Sequence, residues 1–107
     1  MNAVVQAYKD GQVQGIYFGR QDNTVCARWQ AGGAMLEAYA EVDDCWEGKA
    51  PNEEYRLRSV QFTRGWVCSA DGERLLGDLS AAEDGQAVEE IIAEQLSYDK
   101  QETSYKW

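Results

Sequence analysis

Three two-residue turn signals, Asp10-Gly11, Asp22-Asn23 and Gly32-Gly33, separate short apolar-rich runs in the first part of the chain, and their spacing constrains the fold more than any other feature. Each pair tolerates the positive φ of a tight hairpin turn. Read as hairpins, they set a register: Tyr8 opposite Val13, Val5 and Trp29 opposite Ile16, Phe18 opposite Ala27, Trp29 opposite Leu36, and Ala27 opposite Ala38. The parity then places Ala3, Val5, Ile16, Phe18, Val25, Ala27, Trp29, Leu36, Ala38, Ala40 and Val42 on one face, with no charge among them. A slip of one residue would scatter this set over both faces, so the agreement of three turns argues for the register. The opposite face collects Gln6, Tyr8, Val13, Tyr17, Cys26, Arg28, Gln30, Met35, Glu37, Tyr39 and Glu41, with Arg28 across from Glu37 and beside Tyr17.

Residues 34–46 also fit a helix, because Ala, Met, Leu and Glu are good helix formers and Met35, Tyr39, Val42 and Trp46 recur at helical spacing. The register favours the strand. The run from Asp43 to Glu54 carries the only proline, Pro51, and reads as a connecting loop. Beyond it, Tyr55 to Thr63 alternates as a strand, with Val60 and Phe62 on one side beside the stems of Arg56 and Arg58. Gly65 marks a turn or bulge, and Trp66 to Ser69 with Glu73 to Leu76 flank Asp71-Gly72 as another hairpin. The period then changes. Ser80 and Glu83 have the spacing of a capping box, Asp84 is a rival N-cap, and Val88, Ile91, Ile92, Gln95 and Leu96 form one helical stripe running to about Tyr98. The expected architecture is α+β: an antiparallel β-meander of five to seven strands with one C-terminal amphipathic helix. A single domain over 1–98 is followed by a polar tail, 99–107, that ends in Tyr105 and Trp107.

Composition narrows the chemistry. Histidine is absent, which removes imidazole as a base, a nucleophile's partner or a metal ligand. Gly48-Lys49 lacks the surrounding residues of a phosphate-binding loop. Cys26, Cys45 and Cys68 are odd in number and widely spaced, fitting neither a disulfide framework nor paired zinc ligands, and reduced thiols are the simplest reading. Asp43, Asp44 and Glu47 do not have the spacing of a calcium loop. The sequence thus predicts no enzyme, no catalytic residues, no metal and no cofactor. The N-terminus lacks the pattern of a secretion signal, and no apolar run is long enough to span a bilayer, so a cytoplasmic protein without membrane contact is expected.

With 19 acidic against 10 basic residues, the net charge is −9, which opposes direct binding to nucleic acid. Seven acidic and two basic residues lie in 80–107, a net of −5 at that end. These features point to a small acidic binding protein that docks on a basic surface of a larger protein and inhibits or modulates it; if that surface normally holds DNA or RNA, the protein acts as a nucleic-acid competitor or mimic. Candidate contact residues are Trp46 with Asp43, Asp44 and Glu47, the helical Glu89, Glu90 and Glu94, and Tyr17, Arg28 and Tyr39 on the mixed sheet face. The composition is similar to that of small acidic phage-encoded inhibitors of bacterial defence, anti-CRISPR proteins among them, and carries no shared motif. A different class of reading makes the chain a small-ligand-binding β-barrel or curved sheet, with Tyr8, Tyr17, Tyr39 and Arg28 around a pocket. A third uses the same face for self-association into a homo-oligomer.

Overall fold

The computed structural model describes the backbone of residues 2–105, and the side chains of these residues apart from Gln14 and residues 98–105. The elements in order are α1 (Ala3–Lys9), β1 (Gln14–Gln21), β2 (Thr24–Ala31), β3 (Ala34–Glu47), β4 (Glu54–Ser69), β5 (Leu75–Asp78), a π-helical turn over Ala81–Gly85 and α2 (Gln86–Tyr105). The five strands form one antiparallel sheet in the order β1-β2-β3-β4-β5. The architecture is therefore the expected α+β meander with a C-terminal helix.

The register predicted from the second and third turns holds: Ile16 pairs with Trp29, Phe18 with Ala27, Trp29 with Leu36 and Ala27 with Ala38. Residues 34–46 lie within β3, so cross-strand packing overrides their helix propensity. Val25, Ala27, Trp29, Leu36, Ala38, Ala40 and Val42 are all buried. The small residues at the centre of this face let both helices approach closely, and Val4 and Val5 of α1 join Val88, Ile91 and Ile92 of α2 in one core with the sheet. Trp29 is fully buried, stacks near Tyr8 at 5.1 Å and donates its indole N–H to the Val4 carbonyl at 3.0 Å, fastening α1 to the sheet.

The first turn signal does something else. Asp10-Gly11 closes a helix, not a hairpin. Gly11 has φ +72°, its N–H bonds to the Tyr8 carbonyl and the Gln12 N–H to the Ala7 carbonyl, the paired bonds of a Schellman cap. A left-handed glycine serves either end, and here Asn2 caps the other end by accepting from the Val4 N–H. Ala3 is consequently exposed, while Val5 remains in the core from a helix. Ile16, expected inside, is 52% exposed because β1 is an edge strand.

Three further boundaries differ from the sequence reading. The acidic run from Asp43 is strand as far as Glu47, so the loop shortens to 48–53. Gly65 lies inside β4 opposite Ala38, where an added Cβ would meet Leu79 at 2.7 Å; the extra residue is Thr63, between the Tyr39–Arg64 and Ala40–Phe62 pairs. A second bulge at Arg58 puts Leu57, with Val60 and Phe62, among the side chains packed on the core, while Arg56 and Arg58 are exposed. The last hairpin strand is Leu75–Asp78.

At the start of the C-terminal helix Ser80 is the N-cap, and Asp84 is not a rival cap but the acceptor that reaches back to it. Ser80 accepts from the Glu83 N–H at 3.3 Å, and Asp84, one residue later across the π-turn, accepts from the Ser80 N–H at 3.4 Å and from the Asn2 N–H at 2.7 Å. The helix continues past Tyr98, to Tyr105. The side chain of Tyr105 and all of Trp107 lie outside the described residues.

Candidate functional site

Both helices pack on one face of the sheet, and among the described residues no helix covers the other. On it a single row of paired residues crosses all five strands: Tyr17, Arg28, Glu37, Trp66 and Asp78. The next row holds Gly19, Cys26, Tyr39 and Arg64. Directly paired residues share a face and touch, so the two rows behave as one surface. The Arg28 guanidinium lies 4.9 Å from the Tyr17 ring, and that of Arg64 lies 4.8 Å from Tyr39 and 5.7 Å from Trp66, with the two latter rings 5.7 Å apart.

Glu37 organises the middle of this surface. Its carboxylate accepts the Tyr39 O–H at 3.0 Å and the Cys26 S–H at 3.7 Å. The bond to Glu37 is the main reason the Tyr39 hydroxyl is pushed up to about 12. Burial raises the Cys26 thiol, which makes it a poor nucleophile. Alternation along β3 continues the face outward to exposed Glu41 and Asp43, and exposed Asp78 flanks Trp66, so the aromatic centre has acidic residues at its margin.

The Val42 N–H still bonds the Asn23 carbonyl at 2.7 Å; beyond it, among the described residues, β3 pairs with no strand but β4, and the two run on as an arm over Asp43–Glu47, roughly 17 Å at about 3.3 Å per residue. The arm carries the sequence-predicted acidic group, in a different state from that expected. Asp44 is not a solvated loop carboxylate: both oxygens take the Arg20 guanidinium at 2.7 Å, and the Tyr55 hydroxyl donates to it at 2.6 Å. Burial, then this bond, raises the Tyr55 hydroxyl. Glu47 faces Arg56 at 3.2 Å and Arg58 at 3.9 Å. Trp46 is 41% exposed and meets Tyr55 edge-on at 5.7 Å.

The helical glutamates also separate. Glu89 accepts the Phe62 N–H at 2.7 Å and belongs to the fold; Glu90 is paired with Lys9 at 3.4 Å on the surface; Glu94 is exposed. Tyr8 lies on α1 against Trp29, away from Tyr17, Arg28 and Tyr39, and the sheet ends at β1 and β5 without closing. The barrel with Tyr8 in its pocket is thereby corrected. Trp66, Arg64, Glu37 and Asp78 were not singled out as site residues by the sequence: Glu37 stood on this face opposite Arg28, but its pairing with Trp66 depends on a β3–β4 register that no two-residue turn supplies.

Among the described residues no helix is long and apolar enough to cross a membrane, and the three cysteines are free. Comparison with known proteins gives no match: no family model fits the chain, and no curated protein or solved structure is significantly similar to it.

Proposed function

We propose that this protein is a small acidic docking protein, without catalytic activity, that covers a basic surface of a larger nucleic-acid-binding protein and blocks it. The observation that carries the reading is the uncovered sheet face, with Tyr, Trp and Arg side chains at its centre and Glu41, Asp43 and Asp78 at its margin. Interfaces place such residues in that order: aromatic and Arg anchors in the middle supply most of the affinity, and a charged rim steers encounter. The net charge of −9 sets the sign of the partner. A basic surface that normally holds a phosphate backbone would meet a competing array of carboxylates, the action of an inhibitor of the kind the composition resembles. Reversing Glu41, Asp43 and Asp78 to Lys is the test, with association followed at several salt concentrations. The reading expects a slower on-rate and a flatter salt dependence, and an unchanged on-rate refutes the rim's role.

The arm holds a secondary place in this reading. Arg20, Arg56 and Arg58 already face its carboxylates, so Asp44 and Glu47 contribute little net field, and Trp46 is left as its contact residue.

A further inference from the structure

Arg28 is half-buried in the middle of the uncovered face, and among the described residues no carboxylate lies within ion-pair distance of it. Glu37, directly opposite, binds Tyr39 and Cys26. The Arg28 Nε–H is enclosed and has no acceptor. A buried donor left unmatched costs free energy, and an unmatched guanidinium costs more than a neutral group. Beside it opens a trough of about 370 Å³ whose lining includes Tyr17, Gly19, Thr24, Cys26, Glu37 and Tyr39. Gly19 lets the Tyr17 side chain lie close along β1, since a Cβ there would stand 2.5 Å from the Tyr17 hydroxyl. Tyr17 is itself 52% exposed, and its ring centroid lies 4.9 Å from the Arg28 guanidinium carbon.

We propose that this trough binds a planar carboxylate, received by Arg28 and flanked by the two tyrosine rings. Neither Nη group of Arg28 has a hydrogen-bond or ion-pair partner among the described residues, and the planar pair matches the two oxygens of a carboxylate. The Tyr17 and Tyr39 side chains in its lining give the ring of an aromatic acid apolar surface to lie against. A phosphate dianion fits less well, since Glu37 stands in the wall and Arg20, the other cation at the trough, is committed to Asp44. The site is independent of the docking reading: it concerns a group smaller than a protein surface and survives if no basic partner exists.

The experiment is a titration of the full chain, followed by amide NMR, with benzoate, with the neutral isostere benzamide, and with the blocked peptide acetyl-Gly-Asp-Gly-amide. Benzoate is expected to give saturable shifts at Gly19, Cys26 and Arg28 with a millimolar dissociation constant, and benzamide none. Arg28→Gln should abolish these shifts while its spectrum stays dispersed, and Lys49→Gln, at the arm's tip, should leave them intact. A response to benzoate alone assigns the trough to free planar acids; a response to both probes extends it to carboxylates carried on a chain. The proposal is overturned if benzoate gives no saturable shift, if benzamide matches it, or if the shifts survive Arg28→Gln in a folded protein.

Discussion

Glu89 of α2 accepts the backbone N–H of Phe62 at 2.7 Å, next to the Thr63 bulge where β4 carries one residue more than β3. A bulge disturbs the regular ladder, and here a helix side chain takes the amide beside it. A residue that reads as part of a solvated acidic helix face therefore ties the helix to the sheet.

Glu89→Gln keeps an acceptor and should be nearly neutral, whereas Glu89→Ala leaves the Phe62 amide unmatched at a cost of about 1 to 3 kcal/mol. Urea denaturation of both variants measures the difference. Equal stability would mean that the amide is served by water. Charge reversal on α2 that is meant to spare the fold belongs at Glu90 and Glu94.

The arm should depend on its clamp. Asp44 has a side chain only 9% exposed, and Arg20 meets it with two hydrogen bonds. Arg20→Ala leaves a largely buried carboxylate with Tyr55 as its remaining named partner, and should cost about 2 to 3 kcal/mol in chemical denaturation. Arg56→Ala, on an exposed pair, should cost less than about 1 kcal/mol. Reversal of that order would contradict the clamp.

Trp29 joins three elements through burial and one hydrogen bond. Trp29→Phe keeps most of the apolar volume but leaves the Val4 carbonyl without its donor, an expected loss of about 1 to 3 kcal/mol. Trp29→Ala should cost about 3 to 5 kcal/mol by leaving a cavity. Thermal unfolding followed by circular dichroism resolves both.

Tyr39 should titrate late. Its hydroxyl is raised from the ordinary 10 to about 12, so between those values the folded chain holds a proton that the unfolded chain has lost. The contribution of this group to stability is complete below about pH 10 and disappears as pH rises towards 12. An ultraviolet alkaline titration of the native protein and of Tyr39→Phe should show one late-ionising tyrosine fewer in the variant, with Tyr55, also raised, still titrating late. Titration of Tyr39 with the ordinary value would place the Glu37 bond elsewhere.

The strands that the sequence made legible are those joined by two-residue turns. Asp22-Asn23 and Gly32-Gly33 fix a register with no freedom, so Ile16, Phe18, Ala27, Trp29, Leu36 and Ala38 could be paired on paper. Asp10-Gly11 misled because glycine at positive φ closes a helix as readily as a hairpin. The run Asp43 to Glu47 concealed a strand because the cations that make its charges tolerable, Arg20, Arg56 and Arg58, come from other strands. Bulges at Arg58 and Thr63 then shifted the parity of β4, which hid Trp66 from the surface to which it belongs. Tyr17, Arg28 and Tyr39 were placed together correctly; their neighbours across β4 needed a register that no local turn supplies.

The central claim is that the uncovered sheet face docks on a basic, nucleic-acid-binding protein. The most direct measurement is affinity capture from a bacterial lysate with three folded baits, read by mass spectrometry: the native chain, a Tyr39→Ala and Trp66→Ala double variant, and a Glu90→Lys and Glu94→Lys double variant. The native chain should retain a basic nucleic-acid-binding protein, excess DNA should displace it, the open-face variant should lose it, and the helix variant should keep it. Equal capture by the open-face variant, or no specific capture by the native chain, would contradict the claim.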